Sequence, residues 1–211
     1  PRVIELMNSD LPVVTIDYVY HNCTAVSSNN IQGMEDLVKF IYEQGHRRIA
    51  YIHGQIGSAV TKDRLASFYR TMAELGIEVP DEYIRTADYL ETKEAARQTK
   101  KLLNMENPPT CIIYPDDTAL IGGRNAIMEM GLRIPKDISV AGYDGTRMSQ
   151  LLHPKLTTIQ QDTERIGEEA AKRLIDLIEK PKTTLIERVV VEGILVPGQS
   201  VGKLSEPKKL S

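Results

Sequence analysis

The sequence predicts an open α/β fold in which short parallel strands alternate with helices. β-branched and apolar runs alternate with longer segments whose apolar residues recur at helical spacing. Glycine follows three of these helical segments, at Gly45, Gly76 and Gly131, where a helix most often ends. This order predicts parallel strands joined by right-handed crossovers, with helices on both faces of the sheet.

Each element follows from its own stretch of sequence. Residues 11–17 (LPVVTID) are rich in β-branched side chains, and residues 110–114 (TCIIY) are nearly all apolar. We predict strands at residues 11–17, 48–53, 83–87, 110–114, 137–143, 157–160 and 187–196. We predict helices at residues 30–43, 62–75, 91–103 and 117–130, and a long one after Asp162, a candidate cap. Residues 1–9 resemble the end of another helix, and residues 199–211 form a polar tail that we expect to fray.

The helix predicted at residues 117–130 has two local features from which we make further predictions. Asp117 is expected to cap the helix, which leaves Asp116 free to point into a ligand site. Gly122 and Gly123 lie inside this helix and indicate close packing against the sheet.

The composition excludes several classes of protein. Charged residues make up 26% and hydrophobic residues 41%, which is ordinary globular usage. The net charge is −3 and no Lys/Arg run exceeds two residues, so the chain lacks a basic surface for nucleic acid. The chain has two cysteines, Cys23 and Cys111, and we predict that both are free buried thiols in a reducing compartment. The histidines are dispersed and show no metal-ligand spacing. We therefore expect no metal, no cofactor and no membrane segment.

Polar side chains follow the predicted strands, at the sheet edge where open α/β proteins bind ligands. Carboxylates accept hydrogen bonds from neighbouring hydroxyls, arginine donates in a fixed fork, and an aromatic ring covers the C–H face of a pyranose. An acidic rim repels phosphate, so the pattern favours a neutral polyol. Four carboxylate positions lie at this edge, at Asp17, Asp88, Asp116 and Asp144, together with Arg64, Tyr89 and Gln161.

The same residues have structural alternatives. Asp17 and Asp144 could form turns at strand ends, and Arg64 could pair with Asp63 or Glu94 on the surface. Asp116 and Asp144 could also act as the carboxylate pair of a glycosidase. Because no nucleophile elbow or P-loop accompanies them, we expect no catalytic residues and no enzyme.

Five segments, in order, resemble the lactose/galactose repressor (LacI/GalR) family of transcriptional regulators. The longest is residues 131–144, GLRIPKDISVAGYD, which is close to the family's G-L-R-V-P-x-D-I-S-V-x-G-Y-D. The resemblance runs in the family's order over nearly the whole chain, up to about residue 196. The other four are residues 45–52 (GHRRIAYI), 64–68 (RLASF), 109–122 (PTCIIYPDDTALIG) and 154–159 (PKLTTI).

The resemblance implies a periplasmic-binding-protein-like fold of two doubly wound parallel-sheet subdomains, with the N-terminal one incomplete. Three crossovers are expected near Ser28, Gln161 and Glu187. They divide the chain into an N-terminal subdomain (residues 1–28 plus 162–186), a C-terminal subdomain (residues 29–161 plus 187–198) and the tail. Family effector positions match Asp17, Arg64, Tyr89, Asp116, Asp144 and Gln161, and Ser28 falls where some members place an aromatic under the ligand.

The implied function is binding of a small-molecule effector, a carbohydrate, in a cytoplasmic homodimer. Reorientation of the subdomains would control binding of operator DNA through an N-terminal helix-turn-helix headpiece, to which no segment of this sequence corresponds. A solute-binding receptor of a sugar transporter is the main alternative, and a glycosidase-like enzyme is the second. The sequence leaves open which effector binds and whether it represses or derepresses.

Overall fold

Two sheets organise the chain in a computed structural model that describes residues 5–6, 9, 11–20, 23–181 and 183–204. The small sheet has the order β1-β2-β8, with all three strands parallel. The large sheet has the order β4-β3-β5-β6-β7-β9, in which only the β7–β9 pair is antiparallel. The strands are β1 (Val14–Ile16), β2 (Thr24–Ser28), β3 (Ile49–His53), β4 (Ile84–Thr86), β5 (Cys111–Ile113), β6 (Ser139–Asp144), β7 (Thr157–Gln160), β8 (Arg188–Val191) and β9 (Ile194–Val196).

Helices cover both faces of the large sheet, and one helix covers the small sheet. Asn29 and Asp162 cap their helices, because each side chain accepts a hydrogen bond from a first-turn N–H. The cap predicted at Asp162 is therefore confirmed. The helices are α1 (Asn30–Glu43), α2 (Ala59–Glu74), α3 (Thr92–Leu103), α4 (Asp117–Glu129), α5 (Arg147–Leu151) and α6 (Thr163–Glu179), with a 3₁₀ turn at Asp81–Tyr83.

The core of the large sheet is double-sided. Alternate residues of β3 point to opposite faces, so Tyr51 packs with α1 and α2 while Ile52 packs with α3 and α4. Parallel strands buried on both faces read as continuous apolar runs, which is why β3 and β5 were predictable. A smaller cluster, centred on Val26 and Ile166, joins α6 to the small sheet. The predicted doubly wound α/β architecture is confirmed.

The small sheet differs from the prediction in two ways. Strand β2 (Thr24–Ser28) was not predicted, because its sequence TAVSS is short and made mostly of small polar residues. The single strand predicted at residues 187–196 is wrong. Its first half is β8 in the small sheet and its second half is β9 in the large sheet. The chain therefore crosses between sheets at Glu192 and Gly193, not at Glu187 as predicted.

The start of the predicted tail is ordered rather than frayed. Ser200 is fully buried, and its Oγ donates to the carbonyl of Val140 over 2.6 Å. Residues 200–202 therefore pack on the large sheet, where the N–H of Gly202 donates to the Oγ of Ser139 over 3.0 Å. The tail from residue 205 onward lies outside the described residues. Most of the helix end predicted at residues 1–9 also lies outside them. In the described ranges, no helix is both long and apolar enough to cross a membrane.

Candidate functional site

A cleft of about 290 Å³ opens where β1 of the small sheet meets the strand ends of the large sheet. Its volume is close to the lower end of the ~300–1,000 Å³ range of small-molecule sites. Six of the seven residues predicted to contact a ligand line it and Ser28 does not; Asp88, the fourth carboxylate expected at this edge, does not line it either. The lining residues are Asp17, Tyr18, Gln55, Ser58, Val60, Arg64, Tyr89, Leu90, Asp116, Asp144 and Gln161.

Arg64 lies at the base of the cleft and is only 3% exposed. Its Nε donates to Oδ1 of Asn30 over 2.7 Å, and its Nη1 donates to the carbonyl of Pro115 over 2.9 Å. The surface ion pair considered as an alternative is not formed, because Asp63 pairs with Arg188 and Glu94 pairs with Arg97. The remaining N–H groups of Arg64 make no hydrogen bond to the described residues and are available to a ligand.

Asp116, not Asp117, caps helix α4, so the prediction for this pair is corrected. Oδ1 of Asp116 accepts from the N–H of Ala119 over 2.7 Å, and Oδ2 accepts from the N–H of Leu90 over 2.8 Å. Because the side chain is 1% exposed yet lines the cleft, it presents a fixed carboxylate edge rather than a free one. Each oxygen keeps a lone pair for a further donor.

Asp144 and Gln161 act as a pair on the cleft wall. Nε2 of Gln161 donates to Oδ1 of Asp144 over 2.6 Å, which leaves Oδ2 for a ligand. Burial raises the pKa of the Asp144 carboxyl, and the positive charge of Arg64 opposes that shift. Asp144 also has a positive φ of 101°, so its direction depends on the turn that follows it.

Asp17 faces the cleft from the end of β1. Its Oδ1 is buried and has no hydrogen-bond partner among the described residues. Burial raises the pKa of this carboxyl as well, and Arg64 again opposes the shift. Ser28 lies close by at the end of β2 and is buried outside the cleft, with its Oγ unpartnered in the described structure.

Tyr89 forms one wall of the cleft. Its ring packs on Gly54, where a Cβ would lie 2.4 Å from the ring carbons, and its hydroxyl lies 2.8 Å from Oγ1 of Thr61. Tyr18, Val60 and Leu90 also line the cleft and add apolar surface to it. The cleft therefore combines three carboxylates, one guanidinium and an aromatic wall, the set that recognises hydroxyl pairs on a carbon ring. Nowhere in the described residues do three His, Cys, Asp or Glu side chains gather closely enough to hold a metal ion.

Sequence reasoning missed the residues that hold Arg64. Asn30 and Pro115 contact it from two different elements, and no spacing signal links them to it. Leu90 and Tyr18 were detectable, because each directly follows a predicted cleft residue.

Comparison with known proteins gives a consistent result. A family model described as a periplasmic binding protein-like domain matches residues 38–201. The HTH-type transcriptional repressor PurR of Aliivibrio salmonicida (strain LFI1238) is 32% identical over 173 residues, covering 81% of this chain and 52% of that protein. A Bacillus subtilis (strain 168) protein named as the HTH-type transcriptional repressor ExuR is 30% identical over 205 residues, covering 96% of this chain and 61% of that protein. The chain thus spans about half to three-fifths of these curated relatives.

A solved structure supports the same assignment. The crystal structure described as a transcriptional regulator LacI from Bacillus cereus subsp. cytotoxis NVH 391-98 has a TM-score of 0.90 and 27% identity. The match covers 97% of this chain and 73% of that one.

Two α/β sheets joined by crossovers, with a polar cleft where they meet, define a two-lobed small-molecule-binding domain. The chain belongs to the periplasmic-binding-protein-like domain family, as an effector-binding domain of the LacI type.

Proposed function

We propose that this chain is the effector-binding and dimerisation domain of a LacI-type transcriptional regulator, and that its effector is a sugar or sugar derivative. One observation carries the proposal: Asp17 from the small-sheet side shares a cleft with Arg64, Asp116 and Asp144 from the large-sheet side. Hydroxyl groups donate to the carboxylates and accept from the guanidinium. The ring of Tyr89 covers the C–H face of the sugar.

The ligand acts by bridging the two sheets. A sugar that contacts Asp17 and Arg64 together binds one relative orientation of the sheets more tightly than another, and only that difference shifts the equilibrium. The crossovers at Ser28, Gln161 and Glu192 are the positions where such a hinge rotates. In the whole protein this reorientation changes the operator affinity of a DNA-binding segment outside this sequence, and the protein works in the cytoplasm as a homodimer.

In this proposal the protein binds its ligand and releases it without changing it chemically. A glycosidase needs one carboxyl group that gives a proton to the leaving oxygen. Both oxygens of Asp116 instead accept backbone N–H bonds, which suits a fixed acceptor. The names of the relatives favour a regulator over a transporter receptor.

A thermal-shift screen tests the ligand class, because a ligand that binds only the native state raises the melting temperature. We expect neutral mono- or disaccharides to raise it and their phosphates to do so less, and calorimetry then gives the affinity. Asp144→Asn should weaken binding, whereas Asp137→Asn, which removes an exposed carboxylate paired with Arg133, is the matched control. A larger shift with sugar phosphates would contradict the neutral-polyol assignment, and release of free sugar from a disaccharide would contradict the non-enzymatic role.

A further inference from the structure

Asp117 is a buried carboxylate that does not line the cleft, although it neighbours a residue that does. It is the first residue of α4 and is 1% exposed. Its Oδ2 accepts from the backbone N–H of Thr146 over 2.7 Å and from the Oγ1 of Thr146 over 3.0 Å. Its Oδ1 accepts from the Oγ1 of Thr158 over 2.8 Å. One carboxylate therefore ties α4 to β7 and to the turn that follows β6.

That turn, residues 144–146, has a backbone conformation that needs support. Asp144 has φ 101° and Gly145 has φ 65°, and a non-glycine residue rarely adopts a positive φ. Gly145 is also confined, since a Cβ there would lie 2.4 Å from the Cα of Gln160. A conformation of this kind persists only where the surrounding structure holds it.

Backbone N–H groups of the turn are hydrogen-bonded to Asp117, either directly or through the hydroxyl of Thr158. The N–H of Gly145 donates to the Oγ1 of Thr158 over 3.2 Å, and that hydroxyl donates in turn to Asp117. The N–H of Thr146 donates to Asp117 directly. Gly142 makes room for the carboxylate, because a Cβ there would lie 2.4 Å from Oδ1 of Asp117.

We propose that Asp117 is a positioning residue for ligand binding: it fixes the turn at residues 144–146 and so holds the Asp144 carboxylate in the cleft. Gln161 then fixes one oxygen of Asp144 and leaves the other to the ligand. The significance for binding rests on the proposed function. The geometry of the turn is a property of the protein alone and is measurable without ligand.

Amide hydrogen exchange and ¹H–¹⁵N NMR of the 211-residue chain test the role. In Asp117→Asn we expect the Thr146 amide to exchange about tenfold faster or more, the size expected when a charge-assisted bond is lost. The side-chain amide signals of Gln161 should shift as well, because they report the position of Asp144. Thr158→Val, which removes the linking hydroxyl, should speed exchange at Gly145.

The matched control is Thr157→Val. It removes a buried hydroxyl one residue away that accepts from the N–H of Gly198, on a different part of the structure. The amides of the turn and the Gln161 signals should stay as in the wild type. The proposal is overturned if these signals are unchanged in Asp117→Asn and Thr158→Val, or change equally in Thr157→Val. It is also overturned if the amide of Val140, in the centre of the sheet, speeds up as much as that of Thr146.

Discussion

The guanidinium of Arg64 lies on the ring of Tyr143, with its central carbon 3.4 Å from the ring centroid. This contact adds to the hydrogen bonds from Arg64 to Asn30 and Pro115. The planar guanidinium is therefore held by the aromatic ring on its face and by hydrogen bonds at its edge. Because the group is fixed before a ligand arrives, little side-chain entropy is lost on binding. Arg64 is therefore a preorganised donor and not a flexible surface charge.

We predict that Arg64→Lys lowers the affinity for the saccharide identified by thermal shift at least tenfold. Lysine keeps the charge but cannot reproduce the planar fork that bonds Asn30, Pro115 and a ligand together. Arg64→Ala should abolish binding and also cost roughly 2–4 kcal/mol of stability, because two buried acceptors lose their donor. Calorimetry gives the affinity and urea unfolding gives the stability. Arg97→Lys, at an exposed pair with Glu94, should change neither, and equal effects in that control would contradict the prediction.

The two side-chain hydrogen bonds of Asn30 can be tested separately. Its Oδ1 accepts from Arg64, and its Nδ2 donates to the carbonyl of Ser28 over 3.0 Å, at the first crossover. Asn30→Asp keeps the acceptor for Arg64 and loses the donor, whereas Asn30→Ala loses both. We expect ligand affinity to fall clearly more in Asn30→Ala than in Asn30→Asp, as measured by calorimetry. An equal loss in both variants would assign the effect to the crossover and not to Arg64.

The central strands β3, β5 and β6 of the large sheet were predictable because they are buried on both faces and so read as apolar runs. The small sheet was less so. The sequence TAVSS of β2 carries little hydrophobic signal, and the run from Arg188 to Val196 reads as one strand although Gly193 sends it from one sheet to the other. Which sheet a strand joins depends on contacts distant in sequence, and local pattern does not report them.

The cleft was predictable to the level of its lining residues because the carboxyl ends of parallel strands converge at one edge. Six residues found in this way line it, and their role in binding stays a prediction. The exchange of roles between Asp116 and Asp117 was not predictable. Adjacent aspartates at a helix start have the same cap propensity, and the partners Leu90, Thr146 and Thr158 decide between them.

Asp117 also predicts a pH dependence of stability. Burial raises its pKa in the folded state to about 6, from 3.8 in the unfolded chain. Between these values the folded state holds a proton that the unfolded state has released, so the contribution of this group to stability falls as pH rises. Relative to Asp117→Asn, we expect the wild type to lose roughly 2–3 kcal/mol of its free energy of unfolding from about pH 4 to about pH 7.

Urea unfolding at several pH values measures this difference. Asp137 is the opposite control, because its hydrogen bond from Arg133 lowers its pKa to about 2. Its contribution is present above the unfolded pKa and is lost only as pH falls towards 2, so the difference between wild type and Asp137→Asn should be flat over the same window. A difference between wild type and Asp117→Asn that rises with pH would contradict the assigned direction.

Gly122 lies at a contact between α4 and the first residue of α3, and it should tolerate no side chain. A Cβ there would lie 2.0 Å from the carbonyl oxygen of Thr92, and backbone cannot move aside as a side chain can. Close packing against the sheet was expected for both Gly122 and Gly123. The structure sets Gly122 against α3 instead, whereas a Cβ at Gly123 would lie 2.1 Å from the hydroxyl of Tyr114, which directly follows β5. Gly167 in α6 has open space around its Cβ position and is the matched control.

We expect Gly122→Ala to destabilise the protein by about 1–3 kcal/mol or more through overpacking. Gly167→Ala should stabilise it by about 0.5–1 kcal/mol through helix propensity. Thermal and urea unfolding of both variants measure the pair, and a neutral Gly122→Ala would mean that α3 and α4 are farther apart than this packing requires.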